Sequence, residues 1–192
     1  MSEKANLGTG IHATAVVHRE TGVLIIGPSG SGKSALALAL LGRSRSEGVF
    51  GALIGDDRVW VRNAGGRLIA SSSPEAAGLI ERRKVGLIAA RIEPVAVMGL
   101  AVELSGPKRS WPRMPDDPDV LTIEGIVMPR LALESGQSAT DQALAVDERL
   151  GMMAADRAKQ TAILLEHCAA LHKNGKLVRS PPAGSTPEAR VG

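Results

Sequence analysis

The apolar run Gly22-Val23-Leu24-Ile25-Ile26 stops at a glycine-rich octet, and an apolar pattern resumes as Ala35-Leu36-Ala37-Leu38-Ala39-Leu40-Leu41. This order predicts strand, turn and helix, the helix running to about Leu41 and ended by Gly42 and the Ser/Arg-rich stretch behind it. Upstream, residues 11–17 are apolar and β-branched and predict a strand. The turn at 18–22 makes that strand a hairpin partner of 23–26. Downstream, residues 49–57 run apolar into Asp56-Asp57. Arg58-Val59-Trp60-Val61-Arg62 then alternates polar and apolar, the period of a half-buried strand. Asn63-Ala64-Gly65-Gly66 signals a turn, and 67–70 returns as the partner strand.

Ser73-Pro74-Glu75 reads as a helix N-cap with proline at the first helical position, which predicts a short helix over 76–80 ending near Glu81. Residues 85–89 and 95–104 are further strand candidates. Residues 105–119 carry four prolines and predict a long mobile loop. Residues 121–133 read as a strand pair around Gly125 and Pro129, and 137–141 as polar loop. From Asp141 onward, Leu144, Val146, Leu150, Met153, Ala158, Thr161, Leu164, Leu165, Cys168 and Leu171 fall near a helical period. They predict C-terminal helices with an apolar stripe on which Cys168 is a core thiol.

Composition changes this picture only by exclusion. A chain of 192 residues suits one domain with a real core. Its net charge of +3 is too small to argue for nucleic acid, and one Phe, two Trp and no Tyr offer few stacking platforms. The single cysteine allows neither an internal disulfide nor a cysteine metal cluster. No apolar run has the length of a membrane span, and the N-terminus lacks a secretory pattern. The expectation is a cytoplasmic protein with no membrane or nucleic-acid partner.

The octet Gly27-Pro28-Ser29-Gly30-Ser31-Gly32-Lys33-Ser34 has the spacing of a phosphate-binding loop. Its glycines let successive N–H groups turn toward an anion, and the following helix presents a positive N-terminus. Lys33 can reach outer phosphates, and the Ser34 hydroxyl can bind Mg²⁺. Asp56 and Asp57 are predicted at the carboxyl end of a strand beside the loop, where open α/β sheets bind ligands. One carboxylate can hold Mg²⁺ and the other can act as base on an attacking hydroxyl. The residues alone leave three readings open: a protein kinase, a small-molecule kinase, and an ATP-binding sensor with little turnover.

Beyond the octet, Ile11-His12-Ala13, Leu53-Ile54-Gly55-Asp56-Asp57-Arg58-Val59 and Gly78-Leu79-Ile80-Glu81-Arg82-Arg83-Lys84-Val85-Gly86-Leu87-Ile88 follow in fixed order. With the strand and loop between them, these pieces resemble the catalytic domain of bacterial HPr kinase/phosphorylase, in the short form without an additional N-terminal domain. The resemblance implies an α/β fold of the PEP carboxykinase-like type, with the phosphate loop in a mixed β-sheet. The polar, glycine-containing residues 1–10 predict a flexible arm and the Pro/Gly/Ser-rich stretch over 175–192 a disordered tail, so the resemblance implies a single kinase domain over 11–174. It also implies ATP and Mg²⁺ as cofactors, an HPr-like phosphocarrier as partner, phosphorolysis of the product and assembly as a homohexamer. By carry-over, Asp56 would be the base for a serine hydroxyl, and Asp57 would support it or the metal. Ser34 and Glu81 would help hold Mg²⁺. His12 would lie near the acidic pair, and Lys33 and the loop would bind the β-phosphate region. Two stretches depart from the pattern. Lys84 stands where a glycine is expected. Glu134-Ser135-Gly136-Gln137-Ser138-Ala139-Thr140 lacks the usual arginine, whose place Arg109 or Arg113 would have to take.

Overall fold

The computed structural model describes residues 8–72, 78–82, 84–106 and 119–173, with side chains to residue 166. It forms two compact units, Met1–Gly151 and Met152–Gly192. Among the described residues no helix is long and apolar enough to cross a membrane.

The first unit is organised on the hairpin of β2 (Ala13–His18) and β3 (Thr21–Ile26), whose antiparallel register runs from Ala13↔Ile26 to His18↔Thr21. Every residue of β2 is buried, as expected of a strand covered on both faces. On its other edge β2 pairs antiparallel with β4 (Gly51–Gly55). The register there jumps from Ala15↔Gly55 to Val16↔Leu53, so Ile54 is an extra residue in β4. Such a bulge bends the strand and re-aims the side chains beyond it. β1 (Thr9–Ile11) pairs with β5 (Val59–Ala64), which forms the expected hairpin with β6 (Arg67–Ser71). Thr9 and Gly10 of the expected arm thus belong to a strand.

The ten-residue strand β9 (Val95–Leu104) joins the parts. Its first residues pair antiparallel with β6, and the remainder runs parallel to β3. Its last four pair parallel with β11 (Ile126–Leu133), which carries β10 (Val120–Ile123) as a hairpin partner. The carboxyl ends of β3, β4, β9 and β11 therefore face one end of the sheet, the end that bears the glycine-rich loop. Leu24, Ile25, Leu53, Ile54 and Leu100 are at most 1% exposed. Each contributes about 1.5–3 kcal/mol by leaving water.

Helix α1 (Lys33–Ser46) packs on β2 and β4 through Leu36, Ala37, Leu40 and Ser44. It extends past Gly42, the expected terminator. A glycine costs a helix only about 1 kcal/mol, and the buried face continues to Ser44. The stop comes at Gly48, which takes a left-handed conformation with φ 67, the usual device for ending a helix.

Of the helix expected over 76–80, residues 76 and 77 lie outside the described residues, and Leu79 and Ile80 belong instead to β7 (Leu79–Arg82), paired antiparallel with β8 (Gly86–Ala89). Ile80 is buried between exposed Leu79 and Glu81, a period of two that a helical reading misses. Ser73, Pro74 and Glu75 lie outside the described residues. So do 107–118, most of the proline-rich segment, with Arg109 and Arg113.

One helix, α2 (Ala139–Lys173), replaces the expected C-terminal helices. It starts two residues before the expected Asp141, because Ser138 Oγ accepts from the Asp141 N–H at 3.1 Å as an N-cap. In the first unit Ala143, Val146 and Leu150 are buried, while Leu144 is 48% exposed. In the second unit Met152, Ile163, Leu164 and Leu165 are all more than 60% exposed. The periodicity predicts the helix, and of the expected stripe Val146 and Leu150 are buried while Leu144, Leu164 and Leu165 are not. The side chain of Cys168 and residues 174–192 lie outside the described set.

Candidate active site

The glycine-rich loop leaves β3 at Gly27 and enters α1 at Lys33. Gly27 has φ 150, and a Cβ there would stand 2.7 Å from the Leu104 carbonyl oxygen. No side chain fits, so the octet must begin with glycine. Gly32, at φ 102, occupies the N-cap of α1 without any side-chain cap, and the first turn has no acidic residue. The helix N-terminus keeps its free N–H groups and its positive end. Ser31 Oγ is buried with no hydrogen-bond partner among the described residues. A loop with free donors and an orphaned hydroxyl has the chemistry of a phosphate cradle.

Lys33 is 7% exposed, and its Nζ donates to the carbonyls of Gly27 (3.0 Å) and Pro28 (3.2 Å) and to His12 Nε2 (2.9 Å). Burial lowers the ammonium below the ordinary lysine pKa, against the opposing pull of Asp57 and then Asp56. An ammonium has only donors, so Nε2 of His12 carries the lone pair and Nδ1 the hydrogen. Nδ1–H faces the Asp57 carbonyl at 3.0 Å and the Asp57 carboxylate at 3.2 Å.

Asp56 follows β4 at the same end. Its Oδ1 accepts from Thr14 Oγ1 at 2.7 Å and from Ser34 Oγ at 3.0 Å. Its Oδ2 accepts from the Glu81 backbone N–H at 3.2 Å. Asp57 has φ 66, a left-handed conformation rare outside glycine, and its side chain is 86% exposed. The tight turn is closed by the Arg58 N–H on the Asp56 carbonyl at 2.8 Å.

The predicted residues thus gather on one surface. His12, Lys33 and Asp57 form one hydrogen-bonded group, and Ser34, Asp56 and the Glu81 backbone another. Of the three expected metal ligands, Ser34 meets Asp56; the Asp57 carboxylate lies on His12, and the exposed Glu81 enters through its N–H. Thr14 escapes a reading of the sequence, because a threonine inside a β-branched run reads as strand. Its one signal is a hydroxyl in a strand otherwise fit for full burial.

The Ser34 hydroxyl and Asp56 carboxylate are hard oxygen donors beside a phosphate cradle, and they fit Mg²⁺. Among the described residues no group of three His, Cys, Asp or Glu could hold a metal.

A second polar cluster sits at the other end of β2. His18, fully buried, contacts Ser44 Oγ through Nδ1 and Asp147 Oδ1 through Nε2, both at 2.6 Å. Arg43 also binds Asp147, and Arg19 binds Glu47. This cluster ties the first part of α2 to α1 and β2.

Fold and site together define an α/β protein with a phosphate-binding-type loop set against a strand-end carboxylate. The family model for the HPr serine kinase C-terminal domain matches residues 4–141. The chain belongs to that family. Among curated relatives, the HPr kinase/phosphorylase of Limosilactobacillus reuteri (strain DSM 20016) is 32% identical over 133 residues, covering 64% of this chain and 40% of the relative. That of Clostridium botulinum (strain Eklund 17B / Type B) is 38% identical over 88 residues, covering 46% of this chain and 27% of the relative. The chain therefore spans less than half the length of both. The solved Hpr(Ser) kinase/phosphatase from Coxiella burnetii matches with TM-score 0.57 and 26% identity, covering 76% of this chain and 99% of that one. The mixed α/β fold expected from the sequence is the fold observed.

Proposed function

We propose that the protein is a Mg²⁺/ATP-dependent kinase that phosphorylates a serine of an HPr-like phosphocarrier. The observation that carries this reading is the Asp56 carboxylate, held by Thr14 and Ser34 at the mouth of the glycine-rich loop. The relatives' names as HPr kinases supply the acceptor class.

In this reading the loop amides and Lys33 bind the phosphate chain, and the α1 N-terminus faces its charge. Ser34, whose hydroxyl hydrogen goes to Asp56, would hold Mg²⁺ through its oxygen, and the ion would supply charge neutralisation. The serine oxygen forms a bond to the γ-phosphorus while the bond from that phosphorus to the bridging oxygen breaks. ADP leaves with that electron pair. The hydroxyl proton passes to Asp56, which the surrounding donors orient. His12 holds Lys33 on the loop side, and its Nδ1–H holds Asp57. With inorganic phosphate as acceptor, an oxygen of that phosphate bonds to the seryl phosphorus as the bond to the seryl oxygen breaks; Asp56 returns the proton to the serine, and pyrophosphate leaves.

The test is direct. An HPr-like carrier incubated with the protein, ATP and Mg²⁺ should gain the mass of one phosphate on a serine. If ATP binds but no carrier gains phosphate, the reading fails. Transfer to a metabolite instead would make the protein a small-molecule kinase.

A further inference from the structure

We infer that Thr14 is a positioning residue for the reaction. Its hydroxyl fixes the rotamer of Asp56, so that Oδ1 serves the Ser34 side of the site and Oδ2 is the oxygen that takes the proton. This rests on the kinase reading above.

The argument begins with strand chemistry. Thr14 lies in β2, fully buried, between Ala13 and Ala15, which are fully buried too. Valine has nearly the same shape and suits a buried strand better, since a buried hydroxyl must find a partner. The partner is Asp56 Oδ1, at 2.7 Å. Ser34 Oγ donates to that same oxygen. A carboxylate oxygen offers about two acceptor positions, so Oδ1 is fully occupied. Among the described residues Oδ2 holds one donor, the Glu81 N–H, and keeps one position open. An incoming hydroxyl can therefore meet Asp56 only at Oδ2. The β4 bulge sets this up: Ala15↔Gly55 is the last pair of the shifted register, and Thr14 and Asp56 come next along their strands.

Thr14→Val keeps the shape and removes the donor. The expected result is a kcat about 10- to 100-fold lower, the scale of a small misplacement of a reacting group, with the KM for ATP changed less than threefold (about RT ln 3, below one hydrogen bond). Thr14→Ser, which keeps the hydroxyl, should recover most of the loss. A Thr14→Val enzyme as fast as wild type overturns the inference, and so does a Thr14→Ser enzyme as slow as Thr14→Val. A crystal structure of Thr14→Val decides the geometry apart from the chemistry. The Asp56 carboxylate should leave its place beside Ser34, and its staying there refutes the role given to Thr14. If wild type transfers phosphate to no carrier, the kinase reading falls and this structural arm still judges Thr14.

Discussion

Lys33 Nζ stands 2.9 Å from His12 Nε2, and Nδ1 of the same ring stands 3.0 Å from the Asp57 carbonyl. One imidazole thus connects the lysine of the loop to the turn that bears the acidic pair. His12→Phe keeps the ring and removes both nitrogens. A hydrogen bond to a charged group is worth about 1.5–3 kcal/mol, so phosphate transfer should fall at least about tenfold. Turnover of the variant against wild type, at saturating ATP and carrier, checks this. An unchanged rate removes His12 from the machinery.

The two neighbouring aspartates are not equivalent. Asp56 is held by three donors, whereas the Asp57 side chain is 86% exposed. Asp56→Asn should lower kcat by about 10²- to 10⁴-fold, the range for losing a general base, while fluorescent-nucleotide titration still shows binding. Asp57→Asn should cost less than about tenfold, on the scale of one exposed hydrogen bond. The reverse order of effects would transfer the base role to Asp57.

Asp147 gives the fold a pH dependence. Burial alone would raise its carboxyl, but hydrogen bonds from His18 and Arg43 outweigh that and hold it below the ordinary value of 3.8. The unfolded chain therefore takes up this proton more readily than the folded one. The stabilisation is complete above about pH 4 and is lost as pH falls through the lowered folded value. Asp147→Asn should destabilise by about 3 kcal/mol at pH 7, as for one partner removed from a buried pair. Urea unfolding of both proteins at pH 7 and at pH 3 should show the gap narrowing in acid. A gap that is constant with pH refutes the ionic account.

Lys84 has φ 64, at the position where the resemblance leads one to expect glycine. The backbone keeps the glycine-like conformation, and an exposed lysine bears the strain. A left-handed residue with a Cβ costs about 1–2 kcal/mol, partly offset by the greater freedom of glycine in the unfolded chain. Lys84→Gly should therefore raise stability by on the order of 0.5 kcal/mol, read as a higher urea midpoint. A lower midpoint would mean that the lysine side chain stabilises the turn.

Much of the site is legible in the sequence because it is local. The octet, the hairpin before it and the strand ending in Asp56-Asp57 each lie within a few residues of their own signals. His12 and Glu81 come from the resemblance, and the hairpin brings His12 to the loop. The parts that escape depend on distant pairing. Thr14 meets Asp56 across 42 residues and His18 meets Asp147 across 129; neither pairing leaves a periodic trace. β7 reads as a helix because a proline-led N-cap pattern precedes it, while its strand character comes from β8. Along α2 the spacing predicts a helix, but which face is covered depends on packing that spacing does not encode.

The extra residue at Ile54 has a consequence for the acidic pair. Along a strand, alternate side chains point to opposite faces. Had Ile54 been taken into the ladder, Val16↔Leu53 would be followed by Ala15↔Ile54 and Thr14↔Gly55, and Asp56 would stand one step further on, opposite Ala13 and on the other face. That a carboxylate stands beside Thr14 at all is thus a matter of phase, set by a single extra step between two strands.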